Sequence, residues 1–234
     1  FGGLVIFIFF TIYFFTNLNY QILSVIFCGL ICLIPALLED IGLKVKPLIR
    51  LILIFISTFL IITLIKDLPR FNIVSINLIL NNYVFQIVFF SIAMVIVING
   101  QNIIDGTNGL SAFTSISSLL CILYIGLIND DIFIIESCIF MIILISVFLT
   151  FNYPIGKIFL GDFGCYFLGL IIGYLVIYSY GKYPELPTFS AAIIVIYQAY
   201  EVIFSYLRKF LNKKSPLQAD NNHTHSNVYK FIKI

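Results

Sequence analysis

The sequence predicts an all-α, polytopic transmembrane helical bundle. Apolar residues make up 61% of the 234 residues, charged residues only 10%, and the mean hydropathy is +1.10. A soluble domain usually has about a quarter of its residues charged. The apolar runs are near the length of about 20 residues that crosses a bilayer, and they lack the alternation of barrel strands. Because lipid offers no hydrogen-bond partners to backbone N–H and C=O groups, these runs are predicted to be helices, which satisfy those groups internally.

About eight spans are predicted within a single integral-membrane domain covering 1–234. They are 3–16, 21–38, 48–65, 83–99, 110–128, 133–151, 164–181 and 189–211. The first residue is not Met, the first span is short, and the sequence closes within an apolar stretch. We therefore expect further N- and C-terminal spans beyond this sequence.

Alternating crossings place the polar loops of the chain together on one side of the membrane. This side carries the loops 39–47, 99–109, 152–163 and 212–226, and the opposite side carries 66–82, 129–132 and 182–188. The first group has eight Lys and Arg residues in or beside its loops, and the second has three. Positive residues concentrate in cytoplasmic loops, so the first side is predicted to be cytoplasmic. No basic tract indicates nucleic-acid binding.

The first polar island is the pair Glu39 and Asp40 at the end of the second span. Adjacent carboxylates repel each other, so that one holds a proton or both require a cation. An ordinary interfacial turn, with both acids in water, is the alternative.

The second island contains Asn99, Asn102 and Asp105, spaced by three residues so that they share a helix face. The next helix is predicted to begin near Leu110, and a helix N-terminus favours anions. Amides and one carboxylate beside such a terminus suit a phosphate carried with a divalent cation. The Asn-Gly and Asp-Gly pairs of this island also fit a plain turn.

In the third island, Asp162 stands between glycines where a helix is predicted to begin. The helix dipole favours an acid there, and the small neighbours leave the carboxylate open to a metal. A simple N-cap is the alternative.

The fourth island contains His223 and His225, whose spacing indicates a loop because residues i and i+2 do not share a helix face. Zinc is not expected without a Cys or a third His nearby. The imidazoles could donate to phosphates or act as an acid or base near neutral pH. A surface loop without function is the alternative.

Together these islands resemble the polytopic polyprenyl-phosphate N-acetylhexosamine-1-phosphate transferases, within glycosyltransferase family 4. The resemblance runs from the first residues to His225 and rests on two motifs. The first reads Asn99-x-x-Asn102-x-x-Asp105-Gly106-x-x-Gly109-Leu110, and the second reads Asn152-x-Pro154 followed by Phe159-Leu160-Gly161-Asp162-x-Gly164.

The resemblance implies transfer of a sugar-1-phosphate from a UDP-sugar to polyprenyl phosphate, with release of UMP. The reaction would begin a cell-envelope glycan pathway at the bacterial inner membrane, with Mg²⁺ or Mn²⁺ as cofactor. The membrane lipid is an expected partner, and a homodimer stays open.

The resemblance also implies roles for individual residues. Asp162, Asn99 and Asn102 would hold the metal. Asp40 with Glu39 would act on the lipid phosphate, and Asp105 would support the nucleotide phosphates. The expected substrate-binding residues are Asn108, Asn152, Lys157, His223 and His225.

Two positions depart from the family pattern. Glu39 stands where the family usually has Asp, and Ser226 stands where a further His usually follows His225. The loop also lacks the consecutive histidines of the peptidoglycan branch, which favours a simple UDP-N-acetylhexosamine over a peptide-bearing donor.

Two other classes compete with this interpretation. A transporter or ion pathway also uses intramembrane acids, but it would place them near the bilayer midplane, often in paired repeats. Here the middles of the spans are nearly free of charge, with Glu201 the main exception, and no repeat is visible. A CDP-alcohol phosphotransferase would show Asp-Gly-x-x-Ala-Arg, whereas Asp105-Gly106 continues as Thr107-Asn108-Gly109.

Overall fold

The computed structural model describes residues 2–71, 77 and 80–212, and this part of the chain is almost entirely helical without a strand. The all-α prediction is confirmed. The helices that we number here are α1 (Gly2–Thr16), α2 (Tyr20–Asp40), α3 (Pro47–Thr63), α4 (Tyr83–Ile104), α5 (Leu110–Ile128), α6 (Ile132–Asn152), α7 (Gly161–Lys182), α8 (Thr188–Ile194) and α9 (Ile196–Leu211).

The predicted number of about eight spans is too high for the described residues. Five helices, namely α2, α4, α5, α6 and α7, are long and apolar enough to cross a membrane, and α8 with α9 makes a sixth if counted together. That pair is bent by 74°, so the predicted span 189–211 is either a broken span or a re-entrant loop. Helices α1 and α3 have only 15 and 17 residues. At 1.5 Å per residue they are shorter than the roughly 30 Å hydrocarbon layer.

Helix α7 is the centre of the bundle, and α1, α2, α4 and α5 pack around it. Nearly all of its residues from Phe163 to Gly181 are buried. Helix α1 approaches the start of α7 through glycines, and a Cβ on Gly164 would lie 2.6 Å from the Cα of Gly3. The backbone N–H of Gly3 donates to the carbonyl of Leu160 at 3.0 Å. The first turn of α7 is therefore held by backbone contacts as well as by side chains.

We expect Gly164→Ala to destabilise the bundle more than Gly173→Ala. Both glycines are buried in α7, but the added methyl at Gly164 meets backbone, whereas at Gly173 its nearest neighbour is the flexible Met94 side chain at 3.1 Å. Overpacking against atoms that cannot rotate away costs about 1–3 kcal/mol. Thermal unfolding of the two variants in one detergent checks this expectation. Equal losses in the two variants would contradict it.

Side-chain contacts assign the loops to two ends of the bundle. At one end, Asn108 Nδ2 donates to the carbonyl of Pro154 at 3.2 Å, and Asp40 contacts the start of α7. At the other end, Lys182 Nζ lies 2.7 Å from Asp131 Oδ2. These contacts agree with the predicted grouping of the loops 39–47, 99–109 and 152–163. We call the end of the bundle that carries these three loops the acidic end, because Glu39, Asp40, Asp105 and Asp162 lie there.

Candidate active site at the acidic end of the bundle

Asp40 joins the end of α2 to the beginning of α7. Its Oδ1 accepts the backbone N–H of Asp162 at 2.8 Å, and its Oδ2 accepts that of Phe163 at 3.1 Å. The first N–H groups of a helix have no partner within the helix, and an acceptor placed there stabilises the terminus. Gly161 allows this approach, since a Cβ at that position would lie 2.7 Å from Asp40 Oδ2.

Asp162 and Glu39 share one cation, Arg50, in the first turn of α3. Arg50 Nη1 contacts Glu39 Oε2 closely and lies 3.4 Å from Asp162 Oδ2. The guanidinium also lies 5.8 Å from the ring centroid of Tyr166, one turn along α7. From the sequence, Arg50 contributed only to the count of positive residues that orients the loops, because its partner Asp162 is 112 residues away. The carboxylates thus come with a cation that the sequence analysis did not assign to the site.

Asp105 follows the last turn of α4 and lies within electrostatic reach of Asp162 and Asp40. Burial raises the pKa of its carboxyl to about 7, and these two acids add to the rise. Hydrogen bonds from Cys165 and Ser111 oppose it. Three helix ends therefore bring Asp40, Asp105 and Asp162 together, and the pKa of Asp105 lies near neutral pH.

We expect Asp105→Asn to raise the unfolding temperature more at pH 8 than at pH 5. The folded pKa of Asp105, about 7, lies above its ordinary 3.8. Its contribution to stability is therefore present below about pH 4 and is lost as the pH rises through 7. Asn stays neutral throughout, so the gain over the parent grows with pH. The measurement is thermal unfolding in EDTA buffers.

Asp131→Asn is the matched control for this measurement. Burial alone would raise the pKa of Asp131, but hydrogen bonds from Lys182 and Tyr183 outweigh it, so the pKa is lowered. Its stabilising effect is present above pH 4 and is lost only in acid. Asp131→Asn should therefore lower the unfolding temperature equally at pH 5 and 8. If Asp105→Asn also lowers the unfolding temperature equally at pH 5 and pH 8, the raised pKa of Asp105 is rejected.

The amide of Asn152 fastens two loops of the acidic end to each other. Its Oδ1 accepts the backbone N–H of Gly109 at 2.6 Å, and its Nδ2 donates to the carbonyl of Ile158 at 2.8 Å. Asn108 makes a second link to Pro154, while Lys157 is exposed in the same loop. Asn152 thus has a structural function, and the substrate contacts expected of all three residues stay predictions.

A buried amide network lies behind these loops, and the sequence analysis missed it. Gln101 Nε2 donates to the hydroxyls of Ser111 and Ser115 at 2.8 and 2.7 Å, and Gln101 Oε1 accepts from Gln198 Nε2 at 3.3 Å. Gln101 is fully buried. In the sequence Gln101 stands between Gly100 and Asn102, so its polarity did not distinguish it from the rest of the second island. The network ties α4 and α5 to the first turn of α9, where the chain bends.

The remaining predicted residues are not joined to the carboxylates by described hydrogen bonds. Asn99 donates to the carbonyl of Val95 at 2.9 Å and lines a groove of about 320 Å³ between α3, α4 and α9. Asn102 is half-buried in the last turn of α4. His223 and His225 lie outside the described residues. The metal roles of both amides and the donor contacts of both histidines stay predictions.

The acidic end fits a divalent cation when a substrate supplies part of the ligands. No three Asp, Glu, His or Cys side chains within the described ranges are grouped to hold a metal ion. Both oxygens of Asp40 already accept backbone hydrogens, whereas the side chain of Asp162 is 36% exposed. Mg²⁺ is usually held by one or two carboxylates together with waters and substrate phosphates. Asp162 suits that arrangement as the protein ligand.

Fold and site together define an integral membrane protein with an acidic site at one end of a helical bundle. Residues 22–180 match Glycosyl transferase family 4, and the chain belongs to this family.

Several relatives are similar to this chain. A Bacillus subtilis protein named "Probable undecaprenyl-phosphate N-acetylglucosaminyl 1-phosphate transferase" is 32% identical over 136 residues, which are 57% of this chain and 37% of that protein. A Thermotoga maritima undecaprenyl-phosphate alpha-N-acetylglucosaminyl 1-phosphate transferase is 32% identical over 138 residues, which are 59% of this chain and 41% of that protein. The chain thus spans about two fifths of these two relatives. A Dictyoglomus thermophilum phospho-N-acetylmuramoyl-pentapeptide-transferase is 29% identical over 225 residues, which are 95% of this chain and 72% of that protein.

Proposed function

We propose that this protein transfers a sugar-1-phosphate from a UDP-sugar to polyprenyl phosphate and releases UMP. The observation that carries the proposal is the meeting of Asp40, Asp105 and Asp162 from three helices at one end of the bundle. Membership of the family and relatives named for undecaprenyl-phosphate substrates support the same reaction. The donor that the sequence favours is a simple UDP-N-acetylhexosamine.

The reaction joins two anionic substrates, so positioning and charge neutralisation are its main requirements. Mg²⁺ or Mn²⁺, held by Asp162 with Asn102 and Asn99 as further candidates, would supply Lewis-acid stabilisation of the diphosphate. Asp40 fixes the backbone that carries Asp162, and Arg50 supplies a positive charge beside it. Asp105 would adjust the charge of the site through its protonation near neutral pH.

The site would face the cytoplasm of a bacterial inner membrane. The described Lys and Arg residues support this orientation, since those of the acidic end outnumber those of the opposite end. At or near the acidic end are Lys44, Lys46, Arg50, Lys157, Arg208 and Lys209, and at the opposite end are Lys66, Arg70 and Lys182. A cytoplasmic site suits a nucleotide-linked donor and a lipid acceptor that meet at the membrane surface.

The test is UMP release by the protein from labelled UDP-sugars with and without undecaprenyl phosphate. The donors are UDP-N-acetylglucosamine, other UDP-N-acetylhexosamines and UDP-N-acetylmuramoyl-pentapeptide, the last because of the Dictyoglomus relative. Lipid-dependent UMP and a labelled lipid product are expected with an N-acetylhexosamine donor. If no donor gives lipid-dependent UMP, the proposal is rejected, and the transporter alternative is favoured.

A further inference from the structure

Arg50 forms an ion pair with Asp162, the carboxylate that the proposed function assigns to the metal. It bridges two acids from different helices, Glu39 and Asp162, through the same nitrogen, Nη1. Among the described residues, the hydrogen bonds of Arg50 come from Nη1 alone. Its other guanidinium donors are therefore available, and a guanidinium fork suits a phosphate.

The surroundings of Arg50 indicate that a further polar group enters this place. The hydroxyl of Tyr166 is buried and lacks a hydrogen-bond partner among the described residues, although it lies within electrostatic reach of Arg50, Asp162 and Glu39. A buried hydroxyl without a partner is unfavourable and uncommon. A phosphate oxygen arriving beside Arg50 would supply an acceptor.

The two contacts of Arg50 differ in what a divalent cation would do to them. A cation bound to Asp162 would repel the guanidinium from that carboxylate, because both charges are positive. Glu39 would keep its hold on Arg50, because it lies on another helix and is not the carboxylate that the metal would bind.

We propose that Arg50 is a phosphate-binding residue. In the metal-free protein it neutralises Asp162, and when a divalent cation binds Asp162 it contacts a substrate phosphate instead. This inference rests on the proposed function, because it assumes a phosphate-bearing substrate and a metal at Asp162. It gives the departure Glu39 a role: the longer acid reaches Arg50 and holds it beside the phosphate site.

The test is the affinity of the purified protein for Mn²⁺ in the absence of substrates, measured by electron paramagnetic resonance. Arg50→Gln removes the competing cation and should bind Mn²⁺ roughly three- to tenfold more tightly. Arg50→Lys should restore most of the parent affinity. Lys44→Gln is the matched control, since it removes an exposed positive charge that forms none of the described salt bridges, and it should leave Mn²⁺ affinity unchanged.

A kinetic measurement then separates this role from simple packing. Arg50→Gln should raise the KM for undecaprenyl phosphate or the UDP-sugar roughly tenfold, with a smaller change in kcat, and Arg50→Lys should recover part of it. Parent-like or weaker Mn²⁺ affinity in Arg50→Gln would overturn the inference, as would a parent that binds no Mn²⁺. Failure of lipid-dependent UMP release in the parent is the separate result that rejects the proposed function.

Discussion

Asp162→Asn is expected to lower the maximal rate of UMP release by about 10²–10³, the usual cost of removing one key electrostatic stabiliser. Asn has nearly the same shape, and the backbone N–H that Asp40 accepts stays in place. What is lost is the negative charge that holds Arg50 and that would hold the metal. The measurement is lipid-dependent UMP release at saturating substrates.

The fold should tolerate this substitution. A charge at a helix N-terminus contributes about 0.3–1 kcal/mol, and a partly exposed ion pair contributes little. The unfolding temperature should therefore stay close to that of the parent. Asp130→Asn is the matched control, because Asp130 is an exposed acid at the opposite end of the bundle and should affect neither rate nor stability. An unchanged rate in Asp162→Asn would reject its role, and a large drop in unfolding temperature would make that role structural.

The helices and the grouping of the polar loops could be predicted because both depend on local pattern and on parity. Apolar length defines α2 and α4 to α7, and alternation of sides brings Asp40, Asp105 and Asp162 to one end. The motif spacing placed Asn102 in the last turn of α4 and Asp162 in the first turn of α7, as the structure has them.

The bend between α8 and α9 could not be predicted, because its cause is tertiary. The segment 189–211 contains neither Gly nor Pro, so nothing local indicates a break at Val195. The backbone of α9 instead packs onto α4 through Gly100, where a Cβ would lie 2.3 Å from the carbonyl oxygen of Gln198. The buried bond between Gln101 and Gln198 holds the two helices at the same place.

The partnership of Arg50 was hidden for a related reason. A single Arg near a helix start is normally a solvated charge, and only the fold shows that α2, α3 and α7 meet there. For Glu39→Asp, the family pattern and the structure predict different results. The family pattern predicts that this substitution keeps activity, whereas the contact with Arg50 predicts a loosened guanidinium, because the shorter acid reaches less far.

Asp40→Asn is expected to lose both stability and rate, unlike Asp162→Asn. The carboxylate of Asp40 accepts two backbone N–H groups at the start of α7, and an amide offers one oxygen and one NH₂ in the same space. One of the two N–H groups loses its acceptor and faces a donor. Loss of a helix cap and of a partly buried hydrogen bond together cost about 1–3 kcal/mol.

Hydrogen exchange at the backbone amides of Asp162 and Phe163 is the direct measurement of this effect, alongside unfolding temperature and UMP release. Exchange there should be faster in Asp40→Asn, because the start of α7 opens more often. Glu39→Gln, next in sequence, removes a charge without touching this cap, so it should leave the exchange of both amides unchanged. If Asp40→Asn keeps slow exchange and full stability while the rate collapses, then Asp40 acts on the substrate itself, as the family resemblance implies. If exchange and rate change together, Asp40 acts through the position of Asp162.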